Sequence, residues 1–449
     1  MRDTNQTKNR VILHSDVNNF FASVECCNNP KLKSLPVAVA GNPLKRTGII
    51  LAKNEIAKKF GISTGQTIGE AKALCKDLVC LPPHYELYEE ISEKLHEVYL
   101  NYTNFVEPLG LDECWLDVTG CERYLNKTGK EIADEIRKKI KKEFGFTVSV
   151  GVSFSKLFAK LGSDLRKPDF TTEIPFSKFK EITYKLPLNS IVGIGRRLEK
   201  KFFSIDIKTI GDFVLLDDSY LKNVMGKTGV ELKQELLGNT SQSVIDFYKL
   251  PPPKSIGNGT TTTNDIITKS DIEKVVFFLS QRVSSRLLHH KVVASTLGVT
   301  IKNKDLKTIH KDMKIPKTNS VKEISSYAMM IIDKIWKYNY YVRAIRIRAS
   351  NLSSSLIKQL SFFDNKKDYS EAVDLINKKY GKIELASNKE SYISPPNNWT
   401  NKKNWHQFFY FFISFFLKTY LLASFPAIAP CPTAIEICFI GLTTISPQA

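Results

Sequence analysis

Asp112 and Glu113 stand side by side in the stretch EPLGLDECWLDVTG, residues 107–120. Adjacent carboxylates repel each other unless a cation or a positive partner lies between them, so a divalent metal is the economical reason to place them together. The stretch is approached through apolar Phe105 and Val106, turns at Pro108 and Gly110, and leaves through Cys114, Trp115, Leu116 and Val118. That pattern predicts a β-hairpin with the acidic pair at its tip. A solvated acidic turn would read the same way. What favours the metal is a second carboxylate presented much earlier. Asp16 follows the apolar run VILH and precedes a segment of helical character from Phe20 to Glu25. At a strand-to-helix junction the sheet fixes the carboxylate, while the turn offers a backbone carbonyl, here that of Val17, as another hard ligand. Taken alone, Asp16 also suits a helix N-cap. Of the two aromatic residues that follow, Phe21 can lie flat beneath a sugar, and Phe20 is expected to pack inward.

Positioning these groups requires a sheet and helices to cover it. Leu87, Ile91, Leu95 and Val98 recur every three or four residues, as do Ile132, Ile136, Ile140 and Phe144, which predicts two amphipathic helices. The second carries a basic outer face of Arg137, Lys138, Lys139, Lys141 and Lys142, most simply a solvated surface. Val148, Val150 and Val152 alternate with small residues and predict a strand. A βαβ order combined with a hairpin suits a ferredoxin-like layer.

The chain has 449 residues, enough for several domains, and a formal net charge of +19 at pH 7. Such a field favours a polyanion, with nucleic acid ahead of an anionic membrane. The eight cysteines form no Cys-x-x-Cys pair and no zinc-spaced grid, and read as reduced thiols of a cytoplasmic protein. The polar start MRDTNQTKNR lacks the apolar core of a secretory signal.

Four segments in order, DVNNFFASVE (16–25), LAKNEIAKKFGISTG (51–65), EPLGLDECWLDVTG (107–120) and GVSFSKLFAKLGSDLRKP (151–168), closely resemble the Y-family DNA polymerases. The resemblance covers residues 10–385. It implies an α+β multidomain right-hand polymerase: a ferredoxin-like palm (1–19 and 85–174), small fingers (20–84), a helix-hairpin-helix thumb (175–245), a linker (246–255) and a little finger of one β-sheet and two helices (256–385). It also implies that Asp16, Asp112, Glu113 and the Val17 carbonyl hold two Mg²⁺ ions and that Phe21 is the steric gate against a ribose 2′-hydroxyl. Two such cations lower the pKa of a primer 3′-hydroxyl and neutralise departing pyrophosphate. By the same resemblance Lys58 and Lys167 contact the incoming triphosphate. Lys58 stands where the family often has Arg, making a point charge of a bidentate clamp, and Ala52 and Glu55 replace frequent Thr and Tyr.

Further along, GIGRRLEKKF (193–202) and MGKTGVELKQEL (225–236) each join a glycine turn to a helix start. Helix N-termini of this kind, here at Gly193 and Gly195, bind a DNA phosphate without reading sequence. YKLPPPKS (248–255) is a proline-stiffened basic linker. Beyond it, Leu297, Val299 and Ile301 alternate with Thr300 and Lys302, and Ile345 and Ile347 alternate with Arg346 and Arg348. Such strands can cover helices with one face while Arg346 and Arg348 follow a phosphate backbone with the other. Gln359, Leu360, Phe362 and Phe363 resemble the short peptide by which bacterial polymerases dock on the sliding clamp. From about residue 386 the composition changes, and the apolar run 408–425 has spanning length. A polymerase has no evident need of an anchor, so 386–449 reads as an atypical extension.

The resemblance implies a monomeric, low-fidelity DNA polymerase of translesion synthesis and repair, acting on primer-template DNA with deoxynucleoside triphosphates. A two-metal structure-specific nuclease gives no role to Phe21 or Lys167. A non-catalytic DNA-binding protein is the third reading.

Overall fold

A computed structural model describes residues 10–42, 48–240, 242–336 and 340–355. The first sheet is assembled around β1 (Ile12–Val17), a strand buried along its whole length. The apolar stretch flanking Pro36 gives β2 (Val37–Ala40), followed by β3 (Ile50–Lys53) and β4 (Val79–Leu81). These three form a small sheet of order β3-β2-β4, with the short helices Glu55–Lys59 and Ile68–Leu74 packed on it. The first of these helices is only five residues long: Lys53 ends a strand, and Asn54 caps the helix by accepting from the Ala57 N–H.

The predicted hairpin forms as β5 (Val106–Leu109) and β6 (Glu113–Asp117), and the alternating valines form β7 (Val148–Ser153), with β8 (Thr171–Ile174) beside it. The order β5-β6-β1-β7-β8 places β1 at the centre. Helices Tyr85–Leu100 and Gly129–Phe144, at the predicted spacings, cover one face through Leu95, Val98, Ile132, Ile136 and Ile140, which meet Leu13 and Val17 of β1. Phe20 and Val24 join this core.

Helix Lys156–Leu165 covers the other face at unusually short range. A Cβ on Gly151 of β7 would fall 1.9 Å from the Ala159 carbonyl oxygen, and one on Gly162 would lie 3.2 Å from the Gly151 Cα. Two glycines thus let helix and sheet backbones touch. Phe158 and Leu161 of that helix continue into the core of the helical segment 179–236. There Gly193, at φ +101°, and Gly195 precede helix Arg196–Phe203, and Gly226, at φ +70°, precedes helix Lys227–Leu236.

The last described segment is a separate α+β layer. It contains β9 (Ser255–Ile266), β10 (Val292–Asn303), β11 (Thr308–Thr318) and β12 (Val342–Ser354) in the order β11-β10-β12-β9. Helices Lys269–His289 and Val321–Ile335 cover its apolar face. The peptide Gln359, Leu360, Phe362, Phe363 and the apolar segment 386–449 lie outside the described residues. Among the described residues no helix is long and apolar enough to cross a membrane.

Candidate active site

Strand register brings the acidic residues together. In the antiparallel pair of β1 and β6, Asp16 lies directly opposite Glu113, and the Val17 N–H donates to the Asp112 carbonyl at 3.0 Å. Directly opposed residues project on one face of a sheet, so Asp16 and Glu113 emerge together beneath helix Lys156–Leu165. Asp112 occupies the adjoining turn. All three line a single cleft of about 280 Å³, with Val17, Phe21, Leu51, Lys53, Lys160, Asp164 and Lys167 among the other wall residues.

The close approach of helix and sheet places a lysine over the pair. Lys160 Nζ donates to Asp16 Oδ2 and Glu113 Oε1, each at 2.9 Å, and lies 3.3 Å from Asp164. Lys167 Nζ reaches the same Asp16 oxygen and Asp164, both at 2.8 Å. Burial would depress the Lys160 ammonium, but Asp16 outweighs it and keeps the group protonated. Glu113 would likewise be raised by burial, yet His14 and Lys160 hold it below the usual carboxylate range. His14 stands behind it in β1, with Nε2 3.5 Å from Glu113 Oε2, too far for a hydrogen bond of full strength. His14 Nδ1 lies 2.9 Å from the Ser163 hydroxyl, which itself donates to the Lys160 carbonyl.

Asp112 is the exception, since no lysine or arginine pairs with it among the described residues. Burial first, then the charges of Asp16 and Glu113, push its carboxyl up to about 6. The oxygen-only set of three carboxylates and the Val17 carbonyl is the donor chemistry of a hard divalent cation, and the uncompensated charge at Asp112 is what such a cation would neutralise. The set therefore fits Mg²⁺ in kind. The cage is not preassembled, because no three His, Cys, Asp or Glu side chains are gathered closely enough among the described residues. The Lys160 ammonium lies between Asp16 and Glu113 instead.

Phe21 forms the adjacent wall and is fixed from behind. Its ring stacks on Tyr88 with centroids 4.3 Å apart and 13° between planes, and Tyr85 meets it edge-on at 6.1 Å. The Tyr88 hydroxyl donates to the buried Glu25 carboxylate at 2.5 Å, and His84 Nδ1 contacts the same oxygen at 2.7 Å. This brace links residues about sixty positions apart and could not be read from spacing. Lys160 did carry a signal: with Asp164 it stands at i, i+4 on one face of the helix, and Lys167 follows two residues past the helix end.

One expected contact lies outside the cleft. Lys58 is not in the cleft lining; its Nζ lies 3.8 Å from Glu55, on the short helix. Lys53 lines the cleft instead, donating to Thr64 at 3.3 Å. Gly193, Gly195, Arg346 and Arg348 lie far along the chain from the cleft, and none of them lines it. Arg346 and Arg348 are exposed on the outer face of β12.

Lys160→Met is expected to destabilise the protein by about 2 kcal/mol, because it leaves half-buried Glu113 without its ammonium and buried Asp16 with Lys167 alone. Urea denaturation should show a lower midpoint with an unchanged slope. An unshifted midpoint would mean that Lys167 alone satisfies the pair.

Carboxylates on and beside the central strands of a five-stranded sheet, next to an aromatic wall and two lysines, have the chemical make-up that nucleotidyl transfer requires. Residues 15–164 match the impB/mucB/samB family and residues 253–362 match the impB/mucB/samB family C-terminal domain. A DNA polymerase IV of Acetivibrio thermocellus is 39% identical over 380 residues, covering 83% of this chain and 95% of that protein. The DNA polymerase IV of Bacillus velezensis is 32% identical, covering 83% and 91%. Among solved structures, a Y-family DNA polymerase chimera superposes with a TM-score of 0.68 at 22% identity, over 77% of this chain and 99% of that one. The chain belongs to the impB/mucB/samB family, the Y-family of DNA polymerases.

Proposed function

We propose that the chain is a translesion DNA polymerase that extends a primer 3′-hydroxyl by two-metal catalysis at Asp16, Asp112 and Glu113. The observation that supports this most directly is the β1–β6 register, which opposes Asp16 to Glu113 and sets Asp112 in the next turn, facing Phe21 across one cleft. Two Mg²⁺ ions, when bound, would supply the Lewis acidity that activates the hydroxyl and stabilises departing pyrophosphate. The protein's own part is to root the carboxylates and orient the nucleotide. Lys167 and Lys53 line the cleft and are placed to meet a triphosphate, while Lys58 would have to leave Glu55 to do so.

Phe21 is the surface against which the sugar would rest, and its bracing by Tyr88 gives it the rigidity that steric discrimination requires. Gly193 and Gly195 at a helix start, and Arg346 and Arg348 on the outer face of β12, are assigned to the DNA backbone. Clamp docking through Gln359, Leu360, Phe362 and Phe363 remains part of the proposal on sequence grounds. We assign the palm, fingers, thumb and little finger to the spans given above, with a monomer acting in the cytoplasm.

Primer extension with Mg²⁺ and the four deoxynucleotides, on intact and abasic templates, tests the reading. Lengthened primers on both support it. Shortened primers would favour the nuclease, and no change of length the non-catalytic alternative.

A further inference from the structure

The outer face of the sheet β11-β10-β12-β9 is organised in rows that cross the strands. One row runs Gly257, Arg348, Gly298, Asp312; the next runs Gly259, Arg346, Thr300, His310. Both arginines therefore have glycine beside them on β9, where no side chain walls them in. A Cβ on Gly259 would come within 3.0 Å of the Arg346 Cβ, and one on Gly257 within 3.5 Å of the Arg348 Cβ.

On the other side of this face stands an acid. Asp312, on edge strand β11, reaches back across β10 so that its Oδ2 lies 3.1 Å and its Oδ1 3.3 Å from Arg348 Nη2. The same Oδ1 lies 3.1 Å from His310 Nε2, and His310 Nδ1 lies 2.9 Å from the Thr300 hydroxyl. The reach depends on Gly298. A Cβ there would stand 2.1 Å from Asp312 Oδ1 and 3.1 Å from the His310 ring. The two charged side chains remain 44% and 45% exposed, so their pairing adds little to the stability of the fold. A carboxylate bent over a glycine to cover an exposed arginine acts instead on whatever that arginine would otherwise meet.

We propose that Asp312 is a built-in competitor for DNA phosphate at Arg348, one that limits how tightly this sheet grips the backbone. The proposal rests on the assignment of Arg346 and Arg348 to DNA given above. A phosphate can take the Arg348 guanidinium only by displacing Asp312 or by lying close to its negative charge. In the first case one charge-assisted pair replaces another and little is gained; in the second, repulsion acts well inside the Debye length. Either way Arg348 contributes less than a free arginine to counterion release, while Arg346, with Thr300 opposite it, keeps its full contribution.

The test is fluorescence anisotropy of a labelled primer-template across a salt series. Wild type is compared with Asp312→Asn, Asp312→Ser, Arg346→Ala, Arg348→Ala and the double variant Asp312→Asn/Arg348→Ala. Removing the carboxylate should tighten binding about threefold and steepen the slope of log K against log salt by about one. In the Arg348→Ala background that gain should disappear. Unchanged or weaker binding in both Asp312 variants, with Arg348→Ala still weakening the complex, would overturn the competitor role. A gain that persists without Arg348 would also overturn it, by showing a diffuse charge effect. If neither arginine variant alters affinity, the DNA assignment of this face is itself wrong and the proposal falls with it.

Discussion

Asp112→Asn is expected to reduce primer extension on the order of 10³-fold while making the protein more stable in EDTA at neutral pH. The loss follows from removing an anionic ligand where a divalent cation is to be held, which an amide replaces in shape but not in charge. The gain follows from the lysine distribution: Lys160 and Lys167 neutralise Asp16 and Glu113, and Asp112 is left beside two like charges. Its carboxyl is pushed from 3.8 up to about 6, by burial first and by Asp16 and Glu113 next. A raised carboxyl pKa means that the folded state binds the proton more tightly than the unfolded chain. Stability is therefore surrendered as pH rises from about 4 to about 6, and the loss is complete above that. Allowing for partial exposure, Asn should recover about 2 kcal/mol at pH 7.5 and nothing at pH 3. Urea denaturation of both proteins in EDTA at the two pH values reads this directly. An equal difference at both would show that Asp112 is not the strained charge. Added Mg²⁺ should stabilise wild type more than the variant, since only wild type has the charge to be neutralised.

The parts of this site that could be read from the chain are those set by local chemistry. Pro108 and Gly110 announce the hairpin that presents Asp112 and Glu113, the apolar run VILH announces the strand that carries Asp16, and period-two valines announce β7 beside it. Asp16 and Glu113 are opposed only through register, which the recognised motif order anticipated and periodicity alone did not. Side-chain contacts over long separations were hidden. Lys160 meets Asp16 across 144 positions, and Tyr88 meets Glu25 across 63. Lys53 rather than Lys58 lines the cleft for a local reason: the Asn54 cap starts the helix after Lys53, so Lys53 stays at the end of a strand on the cleft wall. On the β12 sheet, alternation located Arg346 and Arg348 correctly on the polar face. It said nothing of Asp312, whose reach depends on an absent Cβ in the strand between.

Phe21→Ala should admit ribonucleotides, lowering the preference for deoxynucleotides by about 10- to 100-fold while largely preserving deoxynucleotide incorporation. The magnitude is that of an overpacking clash, about 1–3 kcal/mol, because the ring can exclude a 2′-hydroxyl only by refusing to move. Refusal has a structural source here. Phe21 is stacked on Tyr88, Tyr88 is anchored through its hydroxyl to Glu25, and burial together with that bond keeps the phenol protonated as donor. Tyr88→Leu should therefore relax sugar discrimination in the same direction as Phe21→Ala but by less, since the gate remains while its backing softens. Tyr88→Phe, which keeps the stack and loses only the anchor, should lie between Tyr88→Leu and wild type. Paired single-nucleotide measurements of kcat/KM for each ribo- and deoxynucleotide give the ratio free of general damage. An unchanged ratio in Phe21→Ala would remove Phe21 from the gate. A changed ratio there with wild-type values in both Tyr88 variants would mean that the ring is held by the cleft itself, without help from the brace.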